Sequence, residues 1–251
     1  MIHWLVQSAT AAPEIEQGVA PAGLLSPAEE ARLAEFTVVK RRRDWLLGRW
    51  TAKDLVRTVL AEQYGSRIPA ADVVIMADAD GAPFVALATD AGALPQGRQP
   101  WSLSISHSQG VAFCALMLNQ EGAAHAIGAD IEFIEPRADN FVRDFFTADE
   151  MALVRQASPG GYDALVTAVW SAKEAVLKAL RTGLRLDTRQ VQCLIHGPLS
   201  VTDAWTAFTP TVAATVAPDA RWSGWWRRPV EYADFVLTMV EKQDWKSKIQ
   251  D

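Results

Sequence analysis

The stretch Ile127-Gly-Ala-Asp-Ile-Glu-Phe133 places two carboxylates in an otherwise apolar segment. If the segment is a β-strand, alternate residues share a face, so Asp130 and Glu132 point to one side and the apolar residues to the other. Two like charges at this separation repel each other, so we expect positive charge beside them. The stretch therefore predicts a strand that carries a charged site.

A second charged segment, Trp170-Ser-Ala-Lys-Glu-Ala-Val-Leu-Lys-Ala-Leu-Arg181, has the residue types of a helix. We predict that this helix starts at Asp163, runs to about the end of the segment and stops at Gly183. Glu174 and Lys178 then lie one turn apart. Taken alone, such a pair is a surface ion pair that stabilises a helix by about 0.3–0.5 kcal/mol.

The two segments together indicate more than a surface ion pair. Asp130, Glu132 and Glu174 offer three carboxylates from two elements, and carboxylate oxygens are ligands that Mg²⁺ prefers. Lys178, one turn beyond Glu174, can then reach a phosphate group that the metal also holds. The spacing therefore predicts a site for a metal ion and a phosphate.

The N-terminal half concentrates positive charge between Val38 and Arg57. We predict that a helix from about Arg41 to Tyr64 carries it. Residues 40–43 are four consecutive cations near the helix N-terminus, where the helix dipole disfavours positive charge, and a bound polyanion would relieve that cost. A solvated helix face accounts for Lys53 and Arg57.

The segment Ser102-Leu-Ser-Ile-Ser-His-Ser-Gln-Gly110 has two interpretations. His107 and the serines beside it can hydrogen-bond a phosphate. Alternatively, the segment is a turn whose hydroxyls are satisfied locally. Strands are predicted over 101–108 and 111–118. A turn at 119–122 would then join the second of these strands to the strand of Asp130 and Glu132 in a hairpin.

Further elements follow from capping and turn signals. Ser26-Pro-Ala-Glu29 predicts a helix that runs to about Phe36, and Thr147-Ala-Asp-Glu150 predicts the start of a short one. Met1 to Gln7 is a candidate first strand, and Trp222 to Arg228 is a Trp-rich turn candidate. Each half thus offers a long helix and several strands. This pattern predicts an α+β fold with domains over 1–121 and 122–251.

Composition limits the function classes. The chain has 251 residues, 49% of them hydrophobic, and a formal net charge of −6, which gives no reason to expect general binding to nucleic acids or acidic membranes. Two cysteines cannot form a disulfide framework. The first residues lack the basic start of a secretory signal, and no stretch approaches the length of a membrane span. We expect a soluble cytoplasmic protein.

The motifs occur in an order that resembles a known family. Ser104-Ile-Ser-His-Ser108, Ile127-Gly-Ala-Asp-Ile-Glu132 and Trp170-Ser-Ala-Lys-Glu-Ala-Val-Leu-Lys178 are similar to the three signature motifs of the surfactin-type 4′-phosphopantetheinyl transferases. The segment around Arg41 to Arg49 and the turn at Gly81-Ala82-Pro83 are similar to weaker N-terminal motifs of the same family. The resemblance extends from about Lys40 to Leu186.

The resemblance implies a role for several residues. Asp130 and Glu174 match magnesium-binding carboxylates, with Glu132 as the third acidic position. Lys178 matches a lysine that contacts the pyrophosphate of the donor. Four residues match positions that bind coenzyme A: Arg41, Arg43, Ser106 and His107. The implied fold has two similar α+β halves in a pseudo-twofold arrangement, with the donor in the cleft between them.

The implied activity is transfer of 4′-phosphopantetheine from coenzyme A to a serine of an apo acyl or peptidyl carrier protein, with Mg²⁺ as cofactor and adenosine 3′,5′-bisphosphate as leaving group. The family also suggests a monomer. Two alternatives stay open: another Mg²⁺-dependent phosphoryl-transfer enzyme, which the missing glycine-rich phosphate loop disfavours, and a non-catalytic module that binds coenzyme A or a carrier protein. Basic candidates for contact with an acidic carrier are Arg137, Arg143, Arg155 and the segment from Trp222 to Arg228.

Overall fold

The computed structural model describes residues 1–91, 93–119, 125–197 and 199–244, with only the backbone described at 139 and 159. The chain forms two compact units, Met1–Ala123 and Ala124–Asp251. Both contain helices packed on antiparallel sheets, so the predicted α+β class is confirmed. The predicted domain boundary at 121/122 lies outside the described residues.

The first unit, Met1–Ala123, contains the following α-helices and β-strands. Its helices are α1 (Pro13–Glu16), α2 (Pro27–Ala34) and α3 (Val39–Tyr64), and its strands are β1 (Ile2–Ser8), β2 (Val73–Ala77), β3 (Pro83–Leu87), β4 (Gly97–Arg98), β5 (Ser102–Ser108) and β6 (Val111–Met117).

The second unit has the remaining elements. Its helices are α4 (Asp139–Phe145), α5 (Ala148–Arg155) and α6 (Tyr162–Ala179), and its strands are β7 (His125–Phe133), β8 (Val191–Gln192), β9 (Thr206–Phe208), β10 (Thr211–Val212), β11 (Ala220–Arg227) and β12 (Phe235–Asp244).

The first unit is built on the antiparallel sheet β1-β6-β5, against which α3 packs. Strands β5 and β6 form a hairpin whose two-residue turn, Gln109 and Gly110, has φ values of 46° and 78°. Positive φ at both positions suits the turn type that matches the twist of a hairpin, and glycine adopts it at little cost. The segment with His107 is therefore the end of a strand, and its turn begins only at Gln109.

Helix ends in the first unit follow the predicted signals. Ser26 and Glu29 form a reciprocal capping box at the start of α2. Helix α3 ends at Gly65, whose φ of 63° is the left-handed conformation that commonly stops a helix. The core between α3 and the sheet holds apolar side chains such as Val56, Leu60 and Leu116. Their burial positions α3 on the sheet.

The second unit places α6 on the four-stranded sheet β7-β12-β11-β9. Thr147 and Glu150 cap α5 in the predicted way. The central helix α6 is buried along most of its length, and its Val169, Val176 and Leu177 pack with apolar residues of β12. This burial fixes α6 against the sheet in which the neighbouring strand β7 carries the acidic pair.

Two sequence predictions about strands are wrong. Strand β6 does not pair with β7, because β1 and β5 occupy its two edges and β7 pairs with β12 instead. The predicted turn residues 120–122 themselves lie outside the described residues. The segment from Trp222 to Arg227 is not a turn but part of β11, bonded to β9 and β12. Its apolar side chains pack on the sheet, and Trp226 is buried.

Two more features of the fold concern the environment of the cysteines and the character of the helices. Each unit holds one cysteine, Cys114 on β6 and Cys193 just after β8, and both are fully buried. Among the helices that the structure describes, none combines the length and apolar character needed to cross a membrane.

Candidate active site

The acidic pair owes its orientation to a glycine. A Cβ atom built on Gly128 would lie 1.8 Å from the carbonyl oxygen of Ala175, so β7 and α6 approach each other more closely than any side chain would permit. Because alternate strand residues share a face, Asp130 and Glu132 point to the same side as Gly128, toward α6. The strand therefore delivers both carboxylates to the helix that carries Glu174 and Lys178.

Asp130 and Lys178 form the central ion pair of this site. Lys178 Nζ lies 2.7 Å from Asp130 Oδ1 and also donates to the carbonyl oxygen of Ala129 at 3.2 Å. The Asp130 side chain is only 4% exposed, whereas that of Lys178 is 27% exposed. Positive charge thus lies beside the acidic strand, as the repulsion argument predicts. Lys178 pairs across to β7, so the interpretation of this lysine as one half of a surface pair within the helix is wrong.

Glu132 lies at the rim of the same face. Its Oε2 atom accepts a hydrogen bond from the Arg137 guanidinium at 3.0 Å. Burial raises the pKa of Glu132, the charge of Asp130 raises it further, and Arg137 and Lys178 oppose the shift. The carboxylate is therefore held by a neighbouring cation and is also repelled by the acid two residues earlier.

Glu174 is the most strongly perturbed carboxyl of the group. Burial raises its pKa to about 7, and the nearby charges of Asp130 and Glu132 add to the increase, while Lys178 lowers it. A carboxyl with a pKa near neutrality can exchange protons at physiological pH.

The donor chemistry of this cluster suits a hard cation. Three carboxylates, from β7 and α6, present only oxygen ligands, which Mg²⁺ prefers. In the described part of the chain, however, no three His, Cys, Asp or Glu side chains are already arranged to hold a metal ion. Lys178 Nζ occupies one oxygen of Asp130 instead. The residues fit a magnesium site by chemistry, with Lys178 bonded to one of the two Asp130 oxygens.

In the first unit, the structure separates the four cations of residues 40–43 into two groups. Arg42 is structural: its guanidinium donates to the carbonyl oxygens of Gly18, Leu33 and Phe36. Arg43 pairs with its neighbour Asp44. Arg42 therefore joins the start of α3 to the chain segments around it, whereas the pair of Arg43 lies within the helix. Lys40 and Arg41 are exposed.

Lys40 and Arg41 line a cavity of about 460 Å³. The other lining residues are Arg32, Phe36, Val38, Asp44, Trp45 and His107. The Arg41 guanidinium lies over the Phe36 ring at 5.4 Å. Aromatic faces beside several cations suit a ligand that combines a flat ring with phosphate groups.

The four predicted donor-binding residues do not all come together. Arg41 and His107 both line the cavity, whereas Arg43 does not. Ser106 is buried on β5 and, as the neighbour of His107 in a strand, points to the opposite face. The cavity residues Phe36 and Trp45 were missed by the sequence interpretation. Phe36 lies two residues before the basic segment that begins at Val38, and Trp45 lies inside it, so their closeness to the cations was a signal for a ring-binding site.

The predicted solvated face at Lys53 is wrong. The Lys53 side chain is fully buried, with Nζ 2.6 Å from Glu29 Oε2. Burial lowers the pKa of Lys53, and Glu29 opposes that shift. Arg57 is partly exposed and donates to the carbonyl of Ile68. Lys53 thus faces an acidic partner from α2 rather than water, whereas Arg57 is exposed as predicted.

The structure also alters the set of basic residues that can contact a carrier protein. Arg227 is buried and donates to the carbonyl of Asp203, and Arg228 donates to the carbonyls of Leu199 and Ala233. These arginines hold loops of the second unit and do not form an exposed basic rim. Arg143 and Arg155 are exposed, and Arg143 pairs with Asp144.

Comparison with known proteins gives two kinds of match. The family model of the 4′-phosphopantetheinyl transferase superfamily matches residues 126–224, which lie in the second unit. The chain is 26% identical over 206 residues to the 4′-phosphopantetheinyl transferase HetI of Nostoc sp. (strain PCC 7120), an alignment that covers 80% of this chain and 73% of the relative.

Similar solved structures include two bound to coenzyme A or a part of it. The complex of Chronobacterium ammoniagenes ACPS with CoA has 11% identity, covers 49% of this chain and 98% of its own, and gives a TM-score of 0.36. The Bacillus anthracis str. Ames holo-(acyl-carrier-protein) synthase in complex with CoA (3′,5′-ADP) has 18% identity, covers 46% and 91%, and gives a TM-score of 0.36. The family-model match over residues 126–224 and the aligned relative support the sequence-based resemblance at the level of the superfamily, and the surfactin-type subgroup stays a prediction.

Proposed function

We propose that this chain is a transferase that moves the 4′-phosphopantetheine group of coenzyme A onto a serine of an apo acyl or peptidyl carrier protein. The observation that carries the proposal is the cluster of Asp130, Glu132, Glu174 and Lys178 on β7 and α6. It lies within the residues that match the family model. The relative that aligns with most of the chain is itself a 4′-phosphopantetheinyl transferase.

The proposal gives the residues of each unit a separate task. In the first unit, Lys40, Arg41 and His107 would bind donor phosphates, and the rings of Phe36 and Trp45 would contact the adenine base. In the second unit, Lys178 would exchange its bond with Asp130 for one to a pyrophosphate oxygen. An ammonium group at that place offsets negative charge on the phosphate as the bond to the leaving group breaks.

Asp130, Glu132 and Glu174 would hold Mg²⁺ in this proposal. When bound, the ion would supply positive charge to the pyrophosphate, which lowers the barrier to phosphoryl transfer. The three acids retain their negative charge better with a cation present, so the ion also stabilises the cluster.

The reaction balances without a covalent enzyme intermediate. The serine oxygen of the carrier protein forms a bond with the β-phosphorus of coenzyme A. The bond from that phosphorus to adenosine 3′,5′-bisphosphate breaks, and the bisphosphate leaves. Glu174 would accept the serine proton, directly or through water.

Intact mass spectrometry tests the proposal. An apo carrier protein is incubated with the chain, coenzyme A and Mg²⁺, and with EDTA in a parallel sample. We expect the carrier to gain the mass of one phosphopantetheine group, and the gain to disappear with EDTA. Glu174→Gln should reduce the rate at least about 100-fold, because the variant loses a metal ligand and a proton acceptor.

Asp54→Asn is the matched control for Glu174→Gln. Asp54 follows Lys53 on α3 as Glu174 follows Lys173 on α6, and Asp54 accepts a hydrogen bond from Gln7. Its substitution should leave the rate within about threefold. Equal activity of the Glu174 variant and wild type would disprove the role of this cluster. Binding of coenzyme A without transfer to several carriers would favour the non-catalytic alternative, and release of inorganic phosphate would favour another phosphoryl-transfer reaction.

We infer the surfactin-type subgroup and a monomeric state from the resemblance, and a cytoplasmic location from the sequence features described above. A single chain with two α+β units supports the monomer. Static light scattering of the purified chain measures its mass in solution directly.

A further inference from the structure

A fully buried ion pair lies directly behind Glu174. The preceding residue, Lys173, has a side chain that is 0% exposed, and its Nζ atom lies 2.7 and 2.9 Å from the two carboxylate oxygens of Glu150. The same ammonium group donates to the carbonyl of Val191. Glu150 also accepts the backbone N–H of Cys193 at 2.7 Å and closes the capping box with Thr147. The carboxylate of Glu150, on α5, is thus bonded to Lys173 of α6 and to Cys193, the residue that follows β8.

The first unit contains the same arrangement. Lys53 on α3 is 0% exposed, and its Nζ lies 2.6 Å from Oε2 of Glu29, the capping-box residue of α2. The ammonium group also donates to the carbonyls of Leu24 and Ala70, at 2.8 and 3.0 Å. Glu29 accepts the backbone N–H of Ile75 at 3.1 Å. The glutamate again joins a capped helix, a long helix and a strand.

The sequences that build the two pairs are alike. Ser26-Pro-Ala-Glu29 corresponds to Thr147-Ala-Asp-Glu150, and Trp50-Thr-Ala-Lys53-Asp54 corresponds to Trp170-Ser-Ala-Lys173-Glu174. The two capping boxes are visible in the sequence, but the match between the segments that contain the lysines was overlooked. The resemblance between the units therefore extends to a shared way of fixing the long helix.

The energetics of buried ion pairs point away from stability as their sole contribution. Removing two charges from water costs much of what their attraction returns, and apolar residues often stabilise a fold equally well. A buried pair does, however, hold its elements in one relative orientation. On α6, Lys173 ties one face of the helix to α5 and β8, and Ala175 contacts Gly128 on another. Glu174 lies between these two fixed points.

The Glu29–Lys53 pair reaches a different part of the molecule. Glu29 lies 3.9 Å from the Arg49 guanidinium, which is placed over the Trp45 ring at 4.7 Å. Trp45 lines the cavity, and so do Arg32 of helix α2 and Phe36, which lies just after the end of α2. Through these contacts the pair holds the cavity wall in place.

We propose that the two buried pairs are positioning devices with separate tasks: Lys173 with Glu150 orients Glu174 and Lys178 for the chemical step and for cation binding, and Lys53 with Glu29 shapes the cavity for the donor. The inference rests on the proposed function. Lys173 and Lys53 are positioning residues, because neither side chain is exposed to a ligand.

Steady-state kinetics test the division. The variants are Lys173→Met and Lys53→Met, assayed well below the lower of their two unfolding temperatures. We expect Lys173→Met to lower kcat at least about tenfold with the KM for coenzyme A within about threefold. For Lys53→Met we expect the reverse: a KM raised at least about fivefold and a kcat within about threefold.

A second pair of variants covers loss of folding. A single lysine substitution leaves a glutamate buried without its partner, which destabilises a fold strongly. The double variants Glu150→Gln/Lys173→Met and Glu29→Gln/Lys53→Met remove both charges. The single oxygen of each glutamine can accept either the strand or the cap hydrogen bond, which reach different oxygens of the native carboxylate. The double variants should fold, and they should show the same division between kcat and KM.

Binding measurements provide a readout without turnover. Electron paramagnetic resonance titration measures binding of Mn²⁺ as the probe cation, and isothermal titration calorimetry measures binding of coenzyme A. We expect weaker Mn²⁺ binding only when the Glu150–Lys173 pair is changed, and weaker coenzyme A binding only when the Glu29–Lys53 pair is changed.

The possible results separate the two proposals. If wild type transfers phosphopantetheine but both double variants match it in kcat, KM and binding, the pairs only stabilise the fold and the inference is wrong. An equal loss of every property in both variants would overturn it as well. If wild type binds Mn²⁺ and coenzyme A but transfers nothing, the proposed function fails, and the binding results alone decide the inference. If wild type binds neither ligand, both proposals fail.

Discussion

At the scale of single residues, Glu174 shows that an ionised carboxyl in an acidic, buried site lowers the free energy of unfolding. Burial and two neighbouring carboxylates raise its pKa to about 7 from the ordinary 4.5. The folded chain therefore holds this proton more tightly than the unfolded chain does. The contribution of Glu174 to the free energy of unfolding is fully present below pH 4.5, and it is lost as the pH rises toward 7.

For Glu174→Gln in the presence of EDTA, we expect a change in the free energy of unfolding that depends on pH. Glutamine resembles the protonated acid, so we expect the variant and wild type to have similar stability at pH 5. At pH 8 we expect the variant to be more stable by about 1–2 kcal/mol, because wild type then holds a third carboxylate in an acidic cluster. Urea denaturation at the two pH values measures the difference.

An exposed acid gives the control for this prediction. Glu16 lies on the surface at the end of α1, and Glu16→Gln should change stability by less than about 0.5 kcal/mol at either pH. If Glu174→Gln and wild type unfold at the same urea concentration at pH 8, the carboxylate does not destabilise the fold.

At the scale of elements, the contact between β7 and α6 depends on one missing side chain. The nearest atom to a Cβ on Gly128 is a backbone carbonyl oxygen of the helix, which cannot rotate away as a side chain can. Gly128→Ala therefore requires the strand and helix to separate. We expect a loss of stability of at least about 2–3 kcal/mol, and a lower rate of transfer because Asp130 and Lys178 are displaced from each other.

Gly160→Ala is the matched control for this substitution. Gly160 lies just before α6, and a Cβ there meets nothing within 4 Å. Thermal unfolding should change by less than about 0.5 kcal/mol for Gly160→Ala. Similar stability of the two alanine variants would show that the helix and strand tolerate a wider spacing.

The elements also show where sequence patterns succeed. Helices α2 and α5 were predicted from their capping boxes, and the end of α3 from Gly65, because these signals are local hydrogen bonds and backbone preferences. The β6–β7 hairpin failed because strand neighbours in sequence need not be neighbours in a sheet. The real partner of β7 is β12, near the end of the described chain.

At the scale of the whole molecule, the α+β class and the acidic cluster were predictable, and the surroundings of the cluster were not. Asp130, Glu174 and Lys178 followed from strand alternation and helix spacing. The burial of Lys53 did not, since its partner Glu29 lies on another helix and tertiary contacts decide the environment of a lysine. The same holds for Arg227, whose buried place in β11 contradicts the predicted turn and the predicted contact with a carrier protein.

The two cysteines supply a prediction for the whole chain. Cys114 and Cys193 are fully buried, and burial raises the pKa of the Cys193 thiol above its usual range. A thiol reacts as its thiolate and only when a reagent can reach it. We expect neither cysteine to react with Ellman's reagent within minutes in the native chain, and both to react in concentrated urea. Absorbance of the released thiolate measures the reaction, and prompt labelling of the native chain would contradict the burial.

Because each unit contains one of these cysteines, the labelling of each thiol reports the unfolding of its own unit. Labelling at intermediate urea concentrations, followed by mass analysis of the two cysteine peptides, records when each unit opens. Identical labelling curves mean that the units unfold as one cooperative body, whereas separated curves give the order of their loss. No probe has to be introduced, because the two native thiols themselves report the order in which the units unfold.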